Sequence, residues 1–136
     1  MNRILISIKP EYAQRILDGT KKYEFRRIIA KEKVKSLILY STSPIKEIVG
    51  EVEVIEIIEM PPSPLWEKAK SAAGISREKF RKYFSGQKKA YAYVLGHVTK
   101  FEAGKKLSDI GIDAPPQSFI YLNQEQYDML GKEGDA

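Results

Sequence analysis

The period of apolar and polar positions changes several times along the chain, and each change marks an element. Ile4-Leu5-Ile6-Ser7-Ile8 is rich in branched apolar residues and stops at Lys9-Pro10, which predicts a buried strand. Pro10 suits the first turn of a helix. Tyr12, Ala13, Ile16 and Leu17 then share one stripe, which predicts a helix over 10–18. Gly19 takes the position just past the helix end, where a left-handed residue is favoured. From Lys22 to Arg27 the period drops to two. Tyr23 and Phe25 share one face as strand anchors, while Lys22, Glu24 and Arg26 share the other, expected to point outward with Lys21 above them.

Val34 to Tyr40 reads as a further strand, ended by the turn Ser41-Thr42-Ser43-Pro44. Residues 46–59 read as a long strand whose phase slips: Glu51 and Glu53 share a parity with Ile55 and Ile57. A β-bulge near Val54 to Glu56 is the simplest cause. Pro61-Pro62-Ser63-Pro64 is expected to break the chain. Ser63 then caps a helix from Pro64 to about Ala72, and Ser76 caps another from Arg77 to about Phe84. The second has the spacing of a capping box, but Lys79 stands where the box needs an acid. Ala90 to Thr99 is strand-like, 101–113 is irregular apart from one turn near Leu107 to Ile110, and Ser118 to Leu122 is the last strand. The pattern predicts one domain over 1–122, and a tail over 123–136 with a short helix around Glu125 to Leu130 that frays at its end. Consecutive strands this close in sequence make a largely antiparallel, bent sheet. The expected fold is α+β: a small, mixed, mainly antiparallel β pseudo-barrel with a few short helices.

Composition narrows the chemistry. A chain of 136 residues is large enough for one core without staples. With no cysteine and one histidine, His97, disulfides and thiolate sites are excluded and a zinc site lacks ligands. No apolar run nears the ~20 residues of a membrane span. The opening Met1-Asn2-Arg3-Ile4 lacks the apolar core of a signal peptide, so a cytoplasmic location is the expectation. The formal charge of +5 is unevenly spread. Residues 1–35 hold ten Lys/Arg against four acids, a net +6, whereas residues 36–136 hold thirteen against fourteen, a net −1. A basic first quarter favours a polyanionic partner, although a plain solvated surface has the same composition.

The densest chemistry lies in Gly19-Thr20-Lys21-Lys22-Tyr23-Glu24-Phe25-Arg26-Arg27, where charges alternate with aromatics. Cations there suit phosphate or carbonyl oxygens, Glu24 suits a base amino group, and Arg26 suits stacking. Catalytically, Lys21 would serve as a base or an electrostatic stabiliser and Glu24 as an acid or base. The same residues also describe a surface ion pair at a turn. Lys9, Arg27, Lys31, Lys33 and Lys35 read either as phosphate contacts or as a solvated face. Ser41, Ser43 and Gln117 read either as contacts to a base edge or as local turn hydrogen bonds. Leu65, Trp66, Phe80 and Phe84, if exposed together, would mark a protein-interaction module instead.

Gly19-x-Lys21-x-x-Glu24-x-Arg26 resembles the G-x-K-x-x-E-x-R signature of the ASCH family, small pseudo-barrels of the PUA-like superfamily. Leu5-x-Ser7-Ile8-Lys9-Pro10-x-Tyr12-Ala13 resembles the strand and helix before that signature. Tyr40 to Pro44 resembles the strand and turn after it, and Pro115 to Phe119 the final strand. The resemblance implies a cleft lined by the signature and binding of RNA or a modified nucleoside; the residues themselves leave DNA open as a partner and, without Cys or a His cluster, no cofactor is expected. It also implies possible enzyme forms of the family: a ribonuclease, or an amidohydrolase of N4-acetylcytidine that uses a Lys, a Thr and a Glu. Lys21 corresponds to that Lys, and Glu24 occupies the place of that Thr. A carboxylate at 24 suits reading a base better than attacking an amide, so binding ranks ahead of metal-independent hydrolysis. The expected nucleic-acid contacts are Lys9, Lys21, Glu24, Arg26, Arg27, Ser41, Ser43 and Gln117, with Lys21 and Glu24 catalytic in an enzyme.

Overall fold

A computed structural model describes residues 2–134. Six strands and four helices follow in the order β1 (Asn2–Ile8), α1 (Pro10–Leu17), β2 (Tyr23–Arg26), β3 (Val34–Ser41), β4 (Glu47–Met60), α2 (Pro62–Ala69), α3 (Arg77–Tyr83), β5 (Ala90–Lys105), β6 (Phe119–Leu122) and α4 (Gln124–Gly134). Short 3-10 turns at Lys70–Ala72 and Leu107–Ile110 complete the described chain. The strands form one sheet in the order β2-β5-β4-β3-β1-β6. Every pairing is antiparallel except β1 with β3, which α1 and β2 connect by a crossover.

The sheet is mixed, mainly antiparallel and not closed, since β2 and β6 are its two edges. It is nonetheless tightly coiled. Four strand spacings separate β2 from β1, about 19 Å in a flat sheet. Yet Arg26 on β2 donates to the Ser7 carbonyl on β1 at 2.9 Å. The bend has the expected source in β4, whose register with β5 shifts on both sides of Val54.

Three apolar clusters fill the fold. Ile4, Ile6 and Ile8 meet Leu37, Leu39, Tyr93 and the α1 residues Ala13 and Ile16 on one face. The opposite parity, Leu5 and Ile38, packs with Ile110 and with Leu130 of α4. A third cluster joins Phe25 and Ile58 to Leu65, Phe80 and Phe84 under α2 and α3. Leu65, Phe80 and Phe84 are thus core and do not form the exposed patch that an interaction module through these residues requires; Trp66 is half-buried against Phe80.

Two element boundaries differ from the sequence pattern. Helix α2 starts at Pro62, with no side-chain cap, where the proline run is expected to be a breaker. A proline at the first helical position loses no hydrogen bond, so the run becomes the first turn. Strand β5 continues to Lys105, through a stretch expected to be irregular. Its partner β4 supplies the cross-strand pairing, Gly50 to Lys100 and Ile48 to Lys105, around a local irregularity.

Candidate nucleic-acid interface

The nine-residue charged stretch folds back along the mouth of the coiled sheet. After α1 the chain turns at Gly19, whose φ of +86° is the left-handed conformation expected there. The Lys21 N–H then donates to the Arg15 carbonyl, and the Lys22 N–H to Ala72 at 2.8 Å. These bonds pin the turn to α1 and to the segment after α2, and β2 runs antiparallel to β5 from Tyr23 onward.

Alternation along β2 holds, but its polar face does not point outward. Phe25 lies in the aromatic cluster, edge-on to Phe80 at 4.9 Å, with Tyr23 stacked beside it. Glu24 pairs across the sheet with Tyr93, an interior residue of the first core cluster. Glu24 is only 7% exposed and Lys21 only 3%. Coiling of the sheet turns what a flat strand would show to solvent into the wall of a recess.

In that recess Arg26 holds Glu24 closely. Its Nε and one terminal nitrogen each lie 2.9 Å from the same carboxylate oxygen, Oε2. The same terminal nitrogen donates to the Ser7 carbonyl at 2.9 Å, and the Ser7 hydroxyl donates to the Pro116 carbonyl at 2.7 Å. Strand β1, the edge strand β2 and the loop before β6 are thereby tied at one point.

Lys21 Nζ donates to the Ala73 carbonyl at 2.7 Å and lies 4.9 Å from the Phe25 ring centroid and 5.4 Å from that of Tyr12. Burial pushes its pKa below the ordinary lysine value; Glu24 pulls it back up, while Arg15 and Arg26 push it further down. Gly74 makes room for this side chain. Its φ is +65°, and a Cβ there would lie 2.4 Å from Lys21 Cβ and Cγ.

These groups line a cleft of about 480 Å³. Ser7, Ile8, Lys9 and Tyr12 come from the end of β1 and the start of α1. Lys21, Glu24, Phe25 and Arg26 form one side, and Ile75 with Lys79, Lys82 and Tyr83 of α3 forms the other. Of the sequence candidates, Lys9, Lys21, Glu24 and Arg26 are therefore together. Arg27 is exposed just outside, its guanidinium 4.7 Å from the Tyr83 ring centroid. Ser41 is buried at the end of β3, Ser43 is exposed in the following turn and Gln117 is exposed beside Pro116; none of the three lines the cleft. The sequence reading missed Tyr12, Lys79, Lys82 and Tyr83 as cleft residues. The spacing of Lys79, Lys82 and Tyr83 puts them on one helix face, but only packing says what that face meets. Among the described residues no group of three or more His, Cys, Asp or Glu could hold a metal ion. No described helix is long and apolar enough to cross a membrane.

The coiled sheet, the helix-covered edge and the recess between α1, β2 and α3 define a class. The chain belongs to the ASCH domain family, whose model matches residues 6–103. It is 30% identical over 136 residues to a protein of Zymomonas mobilis named an ASCH domain-containing ribonuclease, covering 93% of this chain and 88% of that protein. The crystal structure of ASCH from Zymomonas mobilis superposes with a TM-score of 0.89 at 29% identity, covering 96% of this chain and 94% of that one. The chain is also 31% identical over 120 residues to a Ureaplasma parvum protein named ATP synthase subunit alpha. That match covers 88% of this chain but spans only 15% of the relative.

Proposed function

We propose that this chain binds single-stranded RNA or a modified nucleotide in the cleft around Lys21, Glu24 and Arg26. One observation carries the reading: a single recess combines a buried ammonium, a carboxylate, a guanidinium and aromatic walls, with Lys9, Lys79 and Lys82 also lining it. Unstacked bases are recognised by aromatic stacking and edge hydrogen bonds, and their phosphates by cations. Tyr12, Phe25 and Tyr83 supply rings. Arg26 occupies only Oε2 of Glu24, which leaves Oε1 to accept from an exocyclic amino group. The lysines take phosphates, which DNA also offers; similarity to a protein named a ribonuclease favours RNA. A cytoplasmic location belongs to the same proposal.

The lowered pKa of Lys21 and that relative's name favour one second reading, cleavage of the bound RNA. There the 2′-hydroxyl oxygen attacks the neighbouring phosphorus while Glu24 takes its proton. The bond to the 5′-oxygen breaks, and Lys21 gives that oxygen a proton. Amide hydrolysis fits less well, because position 24 carries a carboxylate where the resembled amidohydrolases have a hydroxyl.

The test is fluorescence anisotropy of end-labelled single-stranded RNA across a salt series. Affinity should fall with a logarithmic slope of about −0.7 per phosphate contacted. Arg26→Ala should weaken binding at least about tenfold, the scale of one lost charge-assisted hydrogen bond. Salt-independent binding, or none to RNA or DNA, would sink the proposal. The same samples run on a gel decide the second reading: cleavage abolished by Glu24→Gln supports it, and intact RNA removes it.

A further inference from the structure

A second hollow, of about 520 Å³, opens between α2 and α3. Helix α3 has two cationic faces. Lys79, Lys82 and Tyr83 line the main cleft, whereas Arg77 and Arg81, one turn apart, line the second hollow. The second hollow has an aromatic floor. Phe80 and Phe84 are buried there, and half-buried Trp66 lies 5.0 Å from Phe80 between ring centroids. Phe80 also meets Phe25 of the main cleft edge-on, so a continuous aromatic layer runs beneath both hollows. A helix with its side chains is about 10–12 Å across, so the two hollows lie about one helix diameter apart. Glu67 is the one acid among the lining residues, and Lys70 Nζ neutralises it at 2.7 Å. Arg77 and Arg81 are exposed, and Arg77 also attracts Glu67.

We infer that this hollow is a second nucleotide subsite. An RNA chain that seats one base in the main cleft crosses α3 and lays a further base against Trp66, with its phosphate at Arg77 and Arg81. The inference rests on the RNA-binding reading of the main cleft and extends it from a single nucleotide to an oligonucleotide. Two features point to RNA as the occupant. The first is charge: two guanidiniums flank a floor whose acid is already neutralised. The second is continuity, because Lys79 and Lys82 on the same helix line the main cleft on its other side. An aromatic floor beside cations is the combination that holds single strands with little regard to sequence.

Trp66 is the single tryptophan of the chain, so its emission reports on this hollow alone. The experiment uses labelled RNA of about two and about eight nucleotides, lengths that bracket the small end of single-strand site sizes. Both are titrated into the wild type and into Arg77→Gln, Arg81→Gln and the double variant, which alter only exposed side chains. The longer RNA should quench Trp66 and bind about tenfold more weakly to the double variant. Its salt slope there should shrink by about 0.7, the share of one phosphate contact. The shorter RNA should leave Trp66 unmoved and bind all four proteins equally. If the longer RNA binds but leaves Trp66 unmoved, or binds the double variant as tightly as wild type, the subsite is overturned while the main cleft stands. A hollow that instead docks a peptide would give that pattern. If neither RNA binds and Arg26→Ala changes nothing, both readings fall together.

Discussion

Lys21 is where sequence, burial and chemistry meet most sharply. The side chain is 3% exposed, and Ala73 accepts from its ammonium, Glu24 attracts it and two aromatic rings lie near it. Burial still lowers its pKa from 10.5. Between the folded and unfolded values the unfolded chain binds more protons, so this group's contribution to stability rises with pH across that window. Lys21→Met removes the titration. The unfolding free energy of the wild type minus that of Lys21→Met should therefore climb as pH rises towards 10.5. Tyr93 runs the other way: burial raises its pKa above 10.0, so its contribution is lost at still higher pH. The subtraction removes that common term. Urea melts at several pH values make the measurement, and a flat or falling difference would show that the ammonium is not penalised by its site.

At the scale of elements, α3 joins the two hollows and is itself marginal. It is seven residues long, and most of its hold on the fold comes from Phe80 and the Phe84 cap packing into the aromatic cluster. Its start depends on Ser76, whose hydroxyl accepts from the Lys79 N–H at 3.1 Å. Ser76→Ala should lower the unfolding free energy by about 1 kcal/mol, the usual worth of such a cap. RNA affinity should fall severalfold with it, since Lys79, Lys82 and Tyr83 ride on that turn. Urea denaturation and anisotropy on one preparation check both. Unchanged affinity beside a lost kilocalorie would detach α3 from binding.

At the scale of the molecule, the sheet keeps its work on separate faces. One face and the helix-covered edge build the cleft; the other carries Leu5, Ile38, Ile110 and Leu130 under α4. On that far side Tyr127 donates to Glu51 at 2.9 Å, and the Arg3 guanidinium lies 3.7 Å from the Tyr127 ring centroid. Because the two sides share strands but no lining residues, they should respond independently. Leu130→Ala should lower stability by about 2–4 kcal/mol through a cavity under α4 and leave RNA affinity unchanged. Denaturation with parallel binding curves tests it. A loss of affinity matching the loss of stability would mean that the faces are coupled.

Local signals sufficed for much of this. The branched apolar run of Ile4 to Ile8, the alternation of Tyr23 to Arg26, the stripe of α1, Gly19 at its end and the phase slip at Val54 are properties of neighbouring residues, and all appear in the structure. The charged octet was legible for the same reason. Tertiary structure alone decided which way that octet faces. Parity says that Glu24 and Arg26 share a side of a strand; it does not say that the sheet coils until that side becomes an interior wall. Nor does the sequence bring Arg26 to Ser7 or Lys21 to Ala73, contacts across 19 and 52 positions. The same holds for Lys79 and Lys82, whose helical face was readable but whose opposite wall was not. Ser41 illustrates the converse: a turn serine that the sequence offered to a ligand is buried at a strand end and does not line the cleft. Short-range periodicity fixes elements and faces, whereas a cleft is a meeting of faces, set by strand order and coil.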